Sequence, residues 1–194
     1  AIDGLFRDAD PTHPFYNTMH LALQRETNPT RRRQLMLNMD RWRWMPRDLG
    51  SRYILVNIPA YEAALWDHGV EQARWRVVVG RQRSRTPVFS AQVTGVILNP
   101  WWEIPQSIVA ESLAALRRTN PAEFTRRGYV VQDGRYRQRP GPTNALGRMK
   151  LVMPNGYAVY LHDSPAQALF QQEVRVGSHG CVRVADATSL ATAL

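Results

Sequence analysis

Residues 176–184 read VGSHGCVRV, and Cys181 within that run is the only cysteine of the 194-residue chain. With no internal partner it belongs to no disulfide framework. His179 stands two positions before it, and His162, in YAVYLHDSP, stands 19 positions before it. One thiol and two imidazoles are the parts of a nucleophile and its base. The imidazole takes the thiol proton, the ion pair keeps the sulfur anionic, and the imidazolium later protonates a leaving amine. His162 suits the base: it closes an apolar run, which predicts a strand end, with Tyr160 and His162 on one face and Val159 and Leu161 on the other. A separation of two residues is a poor geometry for proton transfer, so His179 is assigned a supporting role, orienting the thiol or polarising the site. Gly180, lacking Cβ, allows close substrate approach. The N–H groups of Gly180 and Cys181 are candidates to receive an oxyanion. In an extended segment Arg183 returns to the face of Cys181, where its guanidinium suits a substrate carboxylate.

Two plainer readings compete. A lone cysteine is often a small buried hydrophobe. Two histidines and a cysteine also form a zinc-type donor set, but no CxxC, HExxH or fourth ligand accompanies them, so no metal is expected.

Positioning these side chains falls to the elements around them. Residues 14–43 are helix-rich. After Asn28-Pro29, the segment TRRRQLMLNMDRWRW carries Leu35, Met36, Met39 and Trp42 on one helical face, with Thr27, Asn28 or Thr30 as cap. From residue 52 short β-branched and aromatic runs predict strands, with a hairpin turn at His68-Gly69 and a strand pattern running through VFSAQVTGVILNP. Within 101–142, SIVAESLAALRR predicts a helix capped by Ser107 with Glu111 near its first turn. YVVQDGRYRQ predicts a hairpin with Asp133-Gly134 at its tip. MKLVMPNGYAVYLHDS predicts two strands around Pro154-Asn155-Gly156, and VADATSLATAL predicts a helix starting near Ala185 to Asp186.

Composition is that of a globular protein, 44% hydrophobic and 21% charged. No apolar run approaches the roughly 20 residues that cross a bilayer. No signal peptide is visible in AIDGLFRDAD, and both ends read as cut from a longer chain. The net charge of +9 favours anionic partners, among them a polyanionic cell envelope. Arg31-Arg32-Arg33 and the alternation Arg41-Trp42-Arg43-Trp44 fit single-stranded nucleic acid in principle. The reading preferred here packs Trp42 and Trp44 at a helix–domain junction and leaves the arginines as a solvated face, with no nucleic-acid partner.

SHGCVRV, with a histidine 17 residues ahead of its own His179, resembles the active-site signature of the L,D-transpeptidase (YkuD-like) catalytic domain family. NPWWEIPQSI, GPTNALGRMKLVMPNGYAVYLHDSP and LFQQEVRVGSHGCVRV are similar, in that order, to successive blocks of its large Gram-negative periplasmic members. These carry a helical scaffold and a lid-like insertion, and the similarity spans about residues 40–194. The resemblance implies an α+β fold: a mainly β catalytic domain of sandwich or barrel type with an N-terminal helical segment and a helical and hairpin insertion. It implies a scaffold over 1–48 and a catalytic domain over 49–194 with a capping insertion at about 101–142. That domain would be incomplete, because the family continues well past the point, 13 residues after Cys181, where this chain stops.

The resemblance makes Cys181 the nucleophile and His162 the base and acid, the latter held by the carbonyl of Asp163. Ser178, His179 and Gly180 match the rest of the motif, and Arg183 stands where many members have Asn. Tyr157, Asn144, Ser178 and Arg183 are the implied substrate contacts. The implied reaction is acyl transfer on peptidoglycan stem peptides, needing no metal and no organic cofactor. Cys181 attacks the L-centre carbonyl of the third residue, commonly meso-diaminopimelate, D-Ala leaves, and a side-chain amine of a second stem resolves the thioester into a 3→3 cross-link. Hydrolysis of the same thioester is the alternative. Carbapenems are expected to acylate Cys181. The implied location is the periplasm, with a membrane anchor outside this segment.

Overall fold

Asn28 and Pro29 break the N-terminal helical region into two helices, α1 (Pro14–Arg25) and α2 (Pro29–Arg43). In this computed structural model, which describes residues 10–194, Asn28 Oδ1 accepts the N–H groups of Thr30 (3.0 Å) and Arg31 (3.2 Å), and Pro29 supplies the first-turn φ. Of the three expected caps, Asn28 does the work. His13 caps α1, its Nδ1 accepting from Phe15 N–H, and its ring stacks on Trp42 at 4.3 Å and meets the edge of Trp66 at 4.7 Å. Trp44, expected to pack, is 78% exposed. Arg32 donates to the carbonyls of Leu23 and Glu26, which ties the arginine run to the end of α1.

The chain divides into two units, one of Ala1–Leu55 with Leu65–Ala73 and one of Val56–Ala64 with Arg74–Leu194. Strands β1 (Arg52–Asn57), β2 (Glu62–Asp67) and β3 (Val70–Gly80) thread both. The β2–β3 turn is His68-Gly69, with φ of 47° and 77°, the double left-handed conformation of a tight hairpin.

All of the candidate site residues lie in the second unit. Its sheet runs β3, β11 (Val182–Val184), β9 (Leu161–His162), β8 (Met149–Val152), β4 (Gly95–Leu98), and β10 (Val176–Ser178) pairs with β3. The predicted strand through VFSAQVTGVILNP is confined to β4; residues 85–94 have no regular pairing. One face of the sheet buries Val77, Val79, Val182, Val184, Leu161, Met149 and Leu151, each at most 6% exposed, and α5 (Ala187–Ala193), capped by Asp186, adds fully buried Leu190. Burial of these aliphatic side chains stabilises the sheet by roughly 1.5–3 kcal/mol each.

Residues 101–142 have a small core of their own. Strands β5 (Trp102–Glu103), β6 (Tyr129–Gln132) and β7 (Arg135–Gln138) form a separate antiparallel sheet. Asp133-Gly134 turns β6 into β7. A helix over 106–119, α3, and α4 (Pro121–Arg126) precede that hairpin. Ile104, Val109 and Leu113 form a buried cluster against Trp102, Tyr129 and Tyr136. Ser107 is not the cap: α3 begins after Pro105 with no side-chain cap, and its middle, Val109–Leu113, is a π-helical turn.

Candidate active site

Register, more than proximity in sequence, assembles the site. Strands β9 and β11 are parallel, with Val182 opposite Leu161 and Arg183 opposite His162. On the other side of β9, His162 is opposite Lys150 of β8. Paired residues project from the same face of a sheet, and residues two apart share that face. Arg183, His162 and Lys150 therefore form one row, and the alternation carried one step back from Arg183 brings Cys181 to the same side. This face is the reverse of the aliphatic one, so packing of the core fixes which way the polar row points.

His162 ends its strand and is 4% exposed. Its Nδ1 lies 2.5 Å from the Asp163 carbonyl, which fixes Nδ1 as the protonated nitrogen and leaves the Nε2 lone pair free to accept a proton. Asp163 is held in turn: its N–H donates to Met149 O, and its buried carboxylate accepts Arg148 N–H at 2.8 Å. Cys181 Sγ faces the Ala158 carbonyl at 3.9 Å, and the Tyr160 backbone N–H reaches the sulfur. Lys150 Nζ sits 4.6 Å above the Tyr160 ring.

Electrostatics correct one expectation. Burial pushes the His162 imidazole down to about 4, against the Asp163 hydrogen bond and with help from Arg183. Burial likewise raises the Cys181 thiol above its ordinary value, opposed by the Tyr160 N–H and by Arg183 and Lys150. At neutral pH the pair rests as thiol and neutral imidazole, because desolvation penalises both charged forms. A permanently anionic sulfur is not its resting state.

The loop that carries Cys181 is braced by its own side chains and by residues at the end of β3. Ser178 Oγ donates to Cys181 O and accepts Gly180 N–H at 3.1 Å. Ser178 is 2% exposed and is occupied as a loop brace, not as a substrate contact. The same bond commits the Gly180 N–H, so of the two expected oxyanion donors Cys181 N–H is the one left by this bracing. Gly180 has φ of +115°, where a side chain is strained. Thr86 Oγ1 donates to Gly180 O at 2.8 Å and accepts Gly80 N–H at 2.9 Å. A side chain at Gly80 would run into the backbone of Ser84 and Thr86, so this approach needs glycine there.

The remaining predicted residues separate. Arg183 is half-buried, and burial lowers its guanidinium from the ordinary value, with the Cys181 sulfur opposing. No carboxylate pairs with it among the described residues. Tyr157 is 58% exposed, with its ring 5.1 Å from that of Phe89. Asn144 is corrected: it is fully buried, its Nδ2 donates to the carbonyls of Pro100 and Arg139, and its Oδ1 accepts Leu146 N–H, so it locks a loop and cannot meet substrate. His179 Nε2 contacts Glu111 Oε2 at 2.8 Å, a partner 68 residues away. The sequence reading missed Arg81, Ser84 and Thr86, which reach the loop from the end of β3; no motif marks them. Among the described residues no cluster of His, Cys, Asp and Glu fits a metal ion. A cleft of about 460 Å³ is walled by Trp101, Phe124 and Tyr129 and does not include Cys181.

A thiol one residue before β11 and an imidazole at the end of the neighbouring β9 lie on the same side of the sheet of an α+β scaffold. Residues 51–194 match the profile of the L,D-transpeptidase catalytic domain (YkuD), and the chain belongs to that family. It is 32% identical over 197 residues to a Haemophilus influenzae protein named "Putative L,D-transpeptidase", covering 91% of this chain and 39% of that one. The chain thus spans well under half the length of this curated relative. Among solved structures it is similar to an L,D-transpeptidase from Mycobacterium smegmatis (12% identity, 72% of this chain and 52% of that one, TM-score 0.47). It is also similar to the LD transpeptidase LdtMt1 in complex with imipenem (14% identity, 72% and 52%, TM-score 0.45).

Proposed function

We propose that this chain carries the catalytic part of a cell-envelope L,D-transpeptidase that cross-links peptidoglycan stems through a Cys181 thioester. The observation that carries the reading is the pairing of β9 with β11, which sets His162 one register step from Cys181 with its Nε2 lone pair free. The sulfur attacks the L-centre carbonyl of a tetrapeptide stem while His162 Nε2 takes its proton, so charge appears only as the S–C bond forms. The oxyanion accepts Cys181 N–H. The C–N bond then breaks, the imidazolium protonates the departing D-Ala amine, and the thioester remains. An acceptor amine attacks that thioester, gives its proton to His162 and releases the thiol, leaving a 3→3 amide. Arg183, a desolvated cation with no carboxylate partner among the described residues, takes a substrate carboxylate, and exposed Tyr157 lines the approach. The insertion at 101–142 caps the bound stem. The site of action is the periplasm, with anchoring supplied by other parts of the protein.

Incubating full-length protein with disaccharide-tetrapeptide and weighing the products tests this directly. Cross-linked dimer is expected. Released tripeptide with no dimer would make the protein a hydrolase on the same thioester. Meropenem should add one covalent mass at Cys181, and His162→Ala should cost more turnover than His179→Ala. No adduct on folded protein, or the reverse order of the two histidines, would overturn the assignment.

A further inference from the structure

A second polar cluster borders the nucleophile loop and takes no part in the proton transfer described above. Glu111 sits in the π-helical turn of α3, between Val109 and Leu113, which fill the insertion's core and leave Glu111 outside. Such turns are frequent at functional sites. Arg81 Nη2 donates to Glu111 Oε1 at 2.8 Å and Oε2 at 2.9 Å. His179 Nε2 lies 2.8 Å from Glu111 Oε2 and 2.5 Å from Arg81 Nη2. Arg81 also belongs to the loop bracing, since its N–H donates to Ser178 O at 3.0 Å.

A ring nitrogen holds either a proton or a lone pair. With its proton, Nε2 donates to Glu111; with a lone pair, it accepts from Arg81. The carboxylate is the one group of the three that can accept from both others. Its removal leaves the ring only Arg81, which can pair with Nε2 solely when that nitrogen carries a lone pair, so the ring is no longer held in both proton states. The hydrogen bonds to Arg81 and His179 also hold the Glu111 carboxyl below its ordinary value, so it is ionised when it makes them.

We infer that Glu111 is a positioning residue of the transfer reaction. With Arg81 it fixes the His179 ring and latches the 101–142 insertion to the loop that carries Cys181. The inference rests on the proposed role of Cys181. Ion pairs this exposed contribute little to stability, so a merely structural Glu111 would be nearly silent on removal.

The test uses full-length protein as wild type, Glu111→Gln, Glu111→Asp, His179→Gln and the Glu111→Gln/His179→Gln pair. Thioester formation from disaccharide-tetrapeptide is timed by mass, and hydrogen exchange is followed over residues 104–119 and 176–184. Glu111→Gln should slow thioester formation at saturating donor at least tenfold, with the thermal midpoint held. Glu111→Asp should recover most of that loss, Glu111→Gln should add little on top of His179→Gln, and exchange should rise in both segments. Wild-type rates and exchange in Glu111→Gln, or an equal loss in the His179→Gln background, would overturn the latch. A wild-type protein that forms no thioester would instead sink the proposed reaction. In that event exchange alone decides the latch: faster exchange in both segments supports it and unchanged exchange ends it.

Discussion

Alkylation of Cys181 by iodoacetamide should climb with pH far into the alkaline range. The thiol lies above its ordinary 9.0 because it is desolvated. At pH 7 the thiolate fraction is then below about 1%, and the rate should gain roughly tenfold per pH unit between 6 and 8. His162, at about 4, is neutral throughout that range and cannot supply a standing positive charge. Replacing His162 by Ala should therefore change alkylation at pH 7 by less than about twofold, while lowering acyl transfer from a stem peptide by about 100-fold or more, the size of a lost general base. Intact mass reads both, since the chain has one cysteine. A rate already level between pH 5 and 8, and collapsing in His162→Ala, would show a preformed ion pair and refute the desolvation argument.

Two further outcomes follow from burial. Asn144→Ala strands two carbonyls and an N–H in a dry loop; at about 1 kcal/mol or more each this is about 3–4 kcal/mol, or roughly 10 °C in melting temperature for a chain of this size, with unchanged half-saturation by substrate in the folded protein. His162 is depressed from 6.5 to about 4, so the unfolded chain binds its proton first; urea melts should show a loss of about 3 kcal/mol as pH falls from 6.5 to 4, absent in His162→Gln.

Local chemistry was legible from residue types. Asn28 before Pro29, His68-Gly69, Asp133-Gly134 and Asp186 each act through their own backbone geometry, so neighbours in sequence suffice to read them. His162 at a strand end followed from the apolar run before it. Ser178 and Asn144 were misread because a polar side chain in a signature block looks the same whether it faces substrate or braces a loop; only their burial decides. The strand signal over VFSAQV failed because hydrophobic content does not supply a neighbouring strand, and residues 85–94 join no ladder before β4. The rest of the loop bracing, from Arg81 and Thr86, depends on where β3 ends relative to β11, a tertiary fact with no local trace.

Strand β11 lies between β3 and β9, antiparallel to one and parallel to the other, yet it is the last of the three to be made. Until residues 182–184 arrive on the ribosome, the two halves of that sheet have no common member, and long-range closures of this kind are slow. The sulfur and its base are thus joined only once β11 has paired with β9. A nascent or misfolded chain carries an ordinary cysteine, and chemical competence at Cys181 becomes a reporter that the sheet has closed.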